Sequence, residues 1–197
     1  MSTAAAPRYR KRASYQAGLL GSFAMVAAAF LVTGHIATRD AIEQRRTEDL
    51  LASLSQVIPT ELHDNDLLAN PLALVDTLGR PITVYRALRG LDVTGVAFQV
   101  TGQGYGGPIE LILGVDARGE ILGSRVLAHA ETPGLGDKIE VSRDDWMLDF
   151  DGRSLGNPPP ERWAVKKDGG SFDQFTGATI TPRAVVKAVR QGLEFFQ

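Results

Sequence analysis

The sequence predicts an α+β protein: an N-terminal transmembrane helix, then a domain in which an antiparallel sheet is packed by helices. Three observations carry this prediction. Residues 13–38 contain no Asp, Glu, Lys or Arg. Four short runs rich in apolar and β-branched residues follow one another between 82 and 127, separated by Gly- and Asp-containing turns. At the C-terminus, Ala184, Val185, Ala188, Val189, Leu193 and Phe196 recur at three- and four-residue spacing, which is one face of a helix.

The elements follow in order. Residues 1–12 carry Arg8, Arg10, Lys11 and Arg12 and no acid. The uncharged run 13–38 would span roughly 39 Å as a helix, more than the ~30 Å hydrocarbon core of a bilayer. It is longer than the apolar core of a cleaved signal peptide, and Ala37-Thr38-Arg39 lacks a small-x-small cleavage pattern, so an uncleaved anchor is expected. The positive-inside tendency puts residues 1–12 in the cytoplasm. Residues 39–197 then lie across the inner membrane, in the periplasm of a Gram-negative cell.

Residues 39–81 read as a helical stalk and connector. Leu50, Leu51, Leu54, Val57 and Ile58 give a helical stripe that Pro59 ends. Asn70-Pro71 and Gly79-Arg80-Pro81 are turn signals. The domain proper is expected over 82–197. Its strands are read at 82–88, 93–100, 109–115 and 120–127, the last two joined by a hairpin turn at Asp116-Ala117-Arg118-Gly119. Thr181 reads as the N-cap of the final helix, with Pro182 at its first position.

Composition narrows the chemistry. Charged residues are 22% and hydrophobic residues 44%, values of folded protein rather than of a disordered chain. Past residue 12 the chain holds 17 basic and 23 acidic side chains, which argues against a nucleic-acid partner. There is no cysteine, so disulfides, thiolate metal sites and cysteine nucleophiles are excluded. With three histidines far apart, at 35, 63 and 129, no metal site is expected. Redox chemistry would need an organic cofactor.

Three Gly-rich segments are candidates for binding. Residues 102–107, GQGYGG, contain a G-x-G-x-x-G match at Gly102, Gly104 and Gly107, but a strand follows it rather than the helix a dinucleotide unit requires. In 129–140, HAETPGLGDKIE, Glu131 sits in a Gly/Pro-rich stretch. That stretch could rim a planar ligand, although composition alone favours a solvated loop. In 168–182, Thr176, Gly177, Ala178 and Thr179 lie just ahead of a helix, where free N–H groups and the helix dipole attract phosphate. Ordinary capping by Thr179 or Thr181 explains the same residues equally well.

FDQFTGATITPRAV resembles the covalent-flavin motif D-x-x-[ST]-G-A-[ST] of the FMN-binding domain family, with Asp173, Thr176, Gly177, Ala178 and Thr179 at its fixed positions. HAETPGLGDKIE is similar to that family's second signature. Within the family, the order basic start, single span, GYGG, ETPGLG, TGAT looks like the G subunits of Rnf-type ion-translocating ferredoxin:NAD oxidoreductases. It is less similar to the C subunits of sodium-pumping NADH:quinone reductases. The resemblance implies one FMN esterified through its phosphate to Thr179 by a separate flavin transferase that uses FAD. It further implies that Thr176, Gly177 and Ala178 cradle the phosphate. Glu131, Thr132, Gly134, Leu135 and Gly136 would line the flavin, and Asp173 would belong to the motif the transferase recognises. No residue would be catalytic by itself. The chain would relay electrons between other membrane subunits of the complex. The alternative is a membrane-anchored sensor that binds FMN without carrying current; a scaffold domain without flavin would leave the motif pair unexplained.

Overall fold

The computed structural model describes residues 13–75, 79 and 81–197. The basic tail of residues 1–12 and Arg80 of one turn signal lie outside the described residues. The chain divides into two units, the first ending at Glu48 and the second running from Asp49 to Gln197.

The described residues of the first unit are helix. They belong to α1, Ala13–Val57, a single helix of 45 residues. The uncharged run and the helical part of the expected stalk are continuous in it: nothing near Thr38-Arg39 interrupts the hydrogen-bond ladder, and the first Pro after the span is Pro59. Every side chain from 13 to 48 is exposed, including Phe23, Phe30 and Leu31. A helix that is apolar all round and unburied is long and apolar enough to cross a membrane.

The second unit holds the core. Its sheet is a meander of five antiparallel strands in sequence order: β1 (Leu72–Val75), β2 (Pro81–Arg89), β3 (Asp92–Gln103), β4 (Pro108–Asp116) and β5 (Ile121–Ala128). Four of these fall where the strand signals lie. β1 was not anticipated. It is four residues long, all of them exposed, and sits on the sheet's edge against β2, so it has no alternating pattern to read. The β4–β5 hairpin closes as expected, with Asp116 N–H donating to the Glu120 carbonyl and Gly119 N–H to the Asp116 carbonyl.

Side-chain alternation sends the two faces of the sheet to different partners. Phe98, Val100, Ile109, Leu111, Leu113 and Val115 pack with the C-terminal helix α2, Ile180–Phe196. Tyr85, Ala87, Ala97 and Ile112 pack with Leu54, Val57 and Ile58 at the end of α1. That end approaches the sheet at Gly114, where a Cβ would sit 2.1 Å from the Val57 carbonyl oxygen. The last two turns of the expected stalk are therefore core of the second unit.

Between β5 and α2, residues 129–179 form loops and short helical turns around an aromatic cluster. Phe150 stacks on Phe172 at 4.6 Å, and Trp146 meets Phe175 edge-on at 5.1 Å. The Trp146 indole N–H donates to the Asp173 carbonyl at 2.9 Å, tying the loop that precedes α2 to this cluster. α2 starts earlier than the sequence suggested. Thr179, not Thr181, holds the N-cap position. Thr181 is fully buried in the first turn, because its hydroxyl has a partner elsewhere that outweighs capping.

Candidate functional site

The three Gly-rich segments, distant in sequence, meet around one cavity of about 370 Å³. Its wall is made by Tyr105, Glu131, Thr132, Leu135, Gly136 and the run Gly177–Thr181. A cleft of that volume is in the size class of small-molecule sites, about 300–1,000 Å³.

One side of the wall is organised by Glu131, only 6% exposed. Its Oε1 accepts the Gly106 N–H at 3.0 Å, and its Oε2 accepts the Thr181 hydroxyl. The carboxylate thus bridges the 104–107 turn and the first turn of α2. Gly106 has to be glycine here, since a Cβ would lie 1.9 Å from the Ala130 carbonyl oxygen. The Thr132 carbonyl accepts from the N–H groups of Leu135 and Gly136, both at 3.1 Å, closing a tight turn that carries Gly134 at φ +77°.

Behind Glu131 lies a further layer. His129 Nδ1 accepts the Glu131 backbone N–H at 3.0 Å, and its Nε2 donates to Glu140 Oε1 at 2.7 Å. With Nδ1 accepting, the ring proton is on Nε2. The hydrogen bond from His129 is the main reason the Glu140 carboxyl sits below its ordinary value. Burial works against it, and the Ser142 hydroxyl and Arg143 add smaller lowering effects.

The opposite side comes from the TGAT turn. Ala178 N–H donates to the Phe175 carbonyl at 3.2 Å, and Gly177 takes φ +82°, a conformation that favours glycine. Thr179 follows on the cavity wall, and its side chain makes no capping hydrogen bond. The amides that open α2 have no intrahelical acceptor, so this edge carries partial positive charge.

Of the residues singled out from sequence, the structure gathers Glu131, Thr132, Leu135, Gly136, Gly177, Ala178 and Thr179 on the cavity. Gly134 is in the turn beside it, not on the wall. Thr176 and Asp173 face a neighbouring cleft with Lys138, Asp144 and Trp146. Asp173 is exposed and pairs with Lys166 Nζ at 2.7 Å. Sequence reasoning missed Thr181 as the partner of Glu131 and Ile180 as part of the wall. No local signal could have revealed either, because both depend on where α2 starts. Arg183 makes two 2.6 Å hydrogen bonds to Asp168, and these hold that exposed carboxyl below its ordinary value.

Fold and site together define a flavin-binding class of domain: residues 104–194 match the FMN-binding domain family. The chain belongs to the family of G subunits of ion-translocating oxidoreductase complexes. It is 55% identical over 178 residues to the G subunit of the ion-translocating oxidoreductase complex of Cereibacter sphaeroides, covering 90% of this chain and 81% of that one. It is 51% identical over 187 residues to the protein of the same name from Stutzerimonas stutzeri, covering 95% and 82%. The fold is similar to that of the C subunit of the Na(+)-translocating NADH-quinone reductase of Parabacteroides distasonis, with TM-score 0.51 at 19% identity, covering 78% of this chain and 95% of that one. The cavity suits FMN, for its wall offers apolar side chains for a ring system and an uncapped helix start with a free hydroxyl for a phosphate.

Proposed function

We propose that this chain is the electron-carrying member of a membrane-bound ion-translocating oxidoreductase complex, and that its FMN is held covalently by a phosphoester to the Thr179 hydroxyl. One observation carries the attachment site. Thr179 stands on the cavity wall at the start of α2, and its hydroxyl is not consumed in capping. A hydroxyl so placed can act as a nucleophile toward phosphorus.

The attachment is a maturation step. The Thr179 oxygen attacks the flavin-side phosphorus of FAD on a flavin transferase. The new O–P bond replaces the P–O bond of the pyrophosphate, AMP leaves, and the hydroxyl proton is released. Asp173, exposed just upstream, is accessible to that enzyme. Bound in the cavity, the flavin supplies one- and two-electron exchange. The chain's own residues do the rest. Gly177 and Ala178 shape the phosphate turn, Thr132, Leu135 and Gly136 form the facing wall, and Glu131 holds the segments together.

The orientation follows from charge. Arg8, Arg10, Lys11 and Arg12 keep the N-terminus in the cytoplasm, which puts the FMN domain in the periplasm. Residues 13–38 contain no Asp, Glu, Lys or Arg, so ion translocation falls to other membrane proteins of the complex.

Intact mass is the test. Co-expressed with a flavin transferase, the wild-type chain gains about 440 Da, the mass of FMN less water, while Thr179→Ala gains nothing. An unmodified wild type beside a modified control substrate would remove the covalent reading. An adduct on Thr179→Ala would move it to another residue.

A further inference from the structure

Tyr105 stands apart from the rest of the cavity wall. It is 73% exposed, yet it lines the cavity. Leu135 at 45% and Ile180 at 48% are its apolar companions on the same wall. Exposed apolar side chains occur elsewhere, at the hairpin residue Leu91 and on edge strand β1. Three large apolar groups around one opening leave surface whose burial would stabilise a bound ligand, at about 25 cal/mol per Å² covered.

Tyr105 is also held in place by its backbone. Gly104 N–H donates to the Gly107 carbonyl at 2.9 Å, closing the turn whose tip is Tyr105 and Gly106. The next amide, Gly106, is gripped by the buried carboxylate of Glu131 at 3.0 Å. The turn's backbone packs so closely on Ala130 that Gly106 has no room for a side chain. Rigid backbone with an exposed aromatic ring is the reverse of a solvated loop tip, where the backbone is loose and the side chain polar. An aromatic ring positioned in this way is suited to stack on a flat π-system.

We infer that Tyr105 is a cofactor-contacting residue: its ring packs against the isoalloxazine of the FMN and, with Leu135 and Ile180, closes the cavity mouth to water. Glu131 is the positioning residue that holds Tyr105 there through the Gly106 amide. The inference rests on FMN occupying this cavity, as proposed above, and adds what covers its ring.

Flavin fluorescence tests it on the full chain flavinylated by co-expression. A tyrosine ring in contact with an excited flavin quenches it by electron donation, whereas phenylalanine covers without donating. Wild type should be dim and poorly quenched by iodide. Tyr105→Phe should be several-fold brighter with iodide access unchanged. Tyr105→Ala should be equally bright with iodide quenching raised several-fold. Intact mass on the same samples separates the two readings. If wild type carries no flavin, the cofactor assignment fails. If all three carry flavin with equal brightness and equal iodide access, the assignment stands and the role of Tyr105 is overturned. Because the Tyr105 side chain is mostly exposed, the substitutions should leave folding intact, and a melting curve on each variant checks this.

Discussion

The two sides of the cavity treat their polar groups in opposite ways. On the Glu131 side both carboxylate oxygens and the His129 ring nitrogens are partnered, and the carboxylate is buried. On the Thr179 side a hydroxyl is left without a cap at a place where capping is the usual use of threonine. A buried polar network with every member satisfied is a device for specifying structure. An unspent hydroxyl on a cavity wall adds little to stability and is available for chemistry. The comparison gives architecture to one side and, on the other, fits the attachment role proposed for Thr179.

The sharpest attempt to break this contrast is Gly106→Ala. Its Cβ would fall 1.9 Å from a backbone oxygen, so the turn must move and the Glu131 hydrogen bond must go with it. A loss of about 3 kcal/mol is expected in urea unfolding, together with failure to acquire flavin. Thr181→Val comes next. It keeps the side-chain shape and removes only the donor to Glu131 Oε2, leaving a buried carboxylate oxygen short of a partner. That should cost about 1–3 kcal/mol by the same measurement while flavinylation persists at reduced yield. Thr179→Ala should do the converse, abolishing the mass adduct while changing stability by less than about 0.5 kcal/mol. A large loss of stability there would erase the distinction between the two sides.

The smallest effect concerns pH. Glu140 has a depressed pKa in the folded state, mainly from its hydrogen bond with His129. A carboxyl whose pKa is lower folded than unfolded stabilises the protein above its unfolded pKa. That contribution is lost as pH falls through the folded value. Glu140→Gln should therefore flatten the dependence of melting temperature on pH across the acidic range, and an unchanged slope would exclude this layer as a support of Glu131.

Much of this was legible without coordinates, and for identifiable reasons. The α+β class, the four long strands and the amphipathic C-terminal helix are written in periodicity, which is local. The loops that meet at the cavity were recognisable as motifs because glycines, a proline and threonines recur there in a fixed order. β1 escaped because an exposed four-residue edge strand has no pattern. The true cap of α2 escaped because Thr179 and Thr181 are equally good caps by composition, and only the buried Glu131 carboxylate decides between them.

By itself the sequence determined the uncharged helical run, the four long strands and the absence of thiol chemistry, all properties of neighbouring residues or of composition, and it carried the motifs that resemble those of the FMN-binding family. Only the tertiary structure decided that residues 105, 131, 135 and 177–181 share one cavity, that Glu131 spends both oxygens on the scaffold, and that Thr179 keeps its hydroxyl free. The physical reason is range. Helix and strand periodicity act over a few residues, whereas a buried carboxylate chooses its donors from whatever the fold brings to it, here from 25 residues before and 50 after.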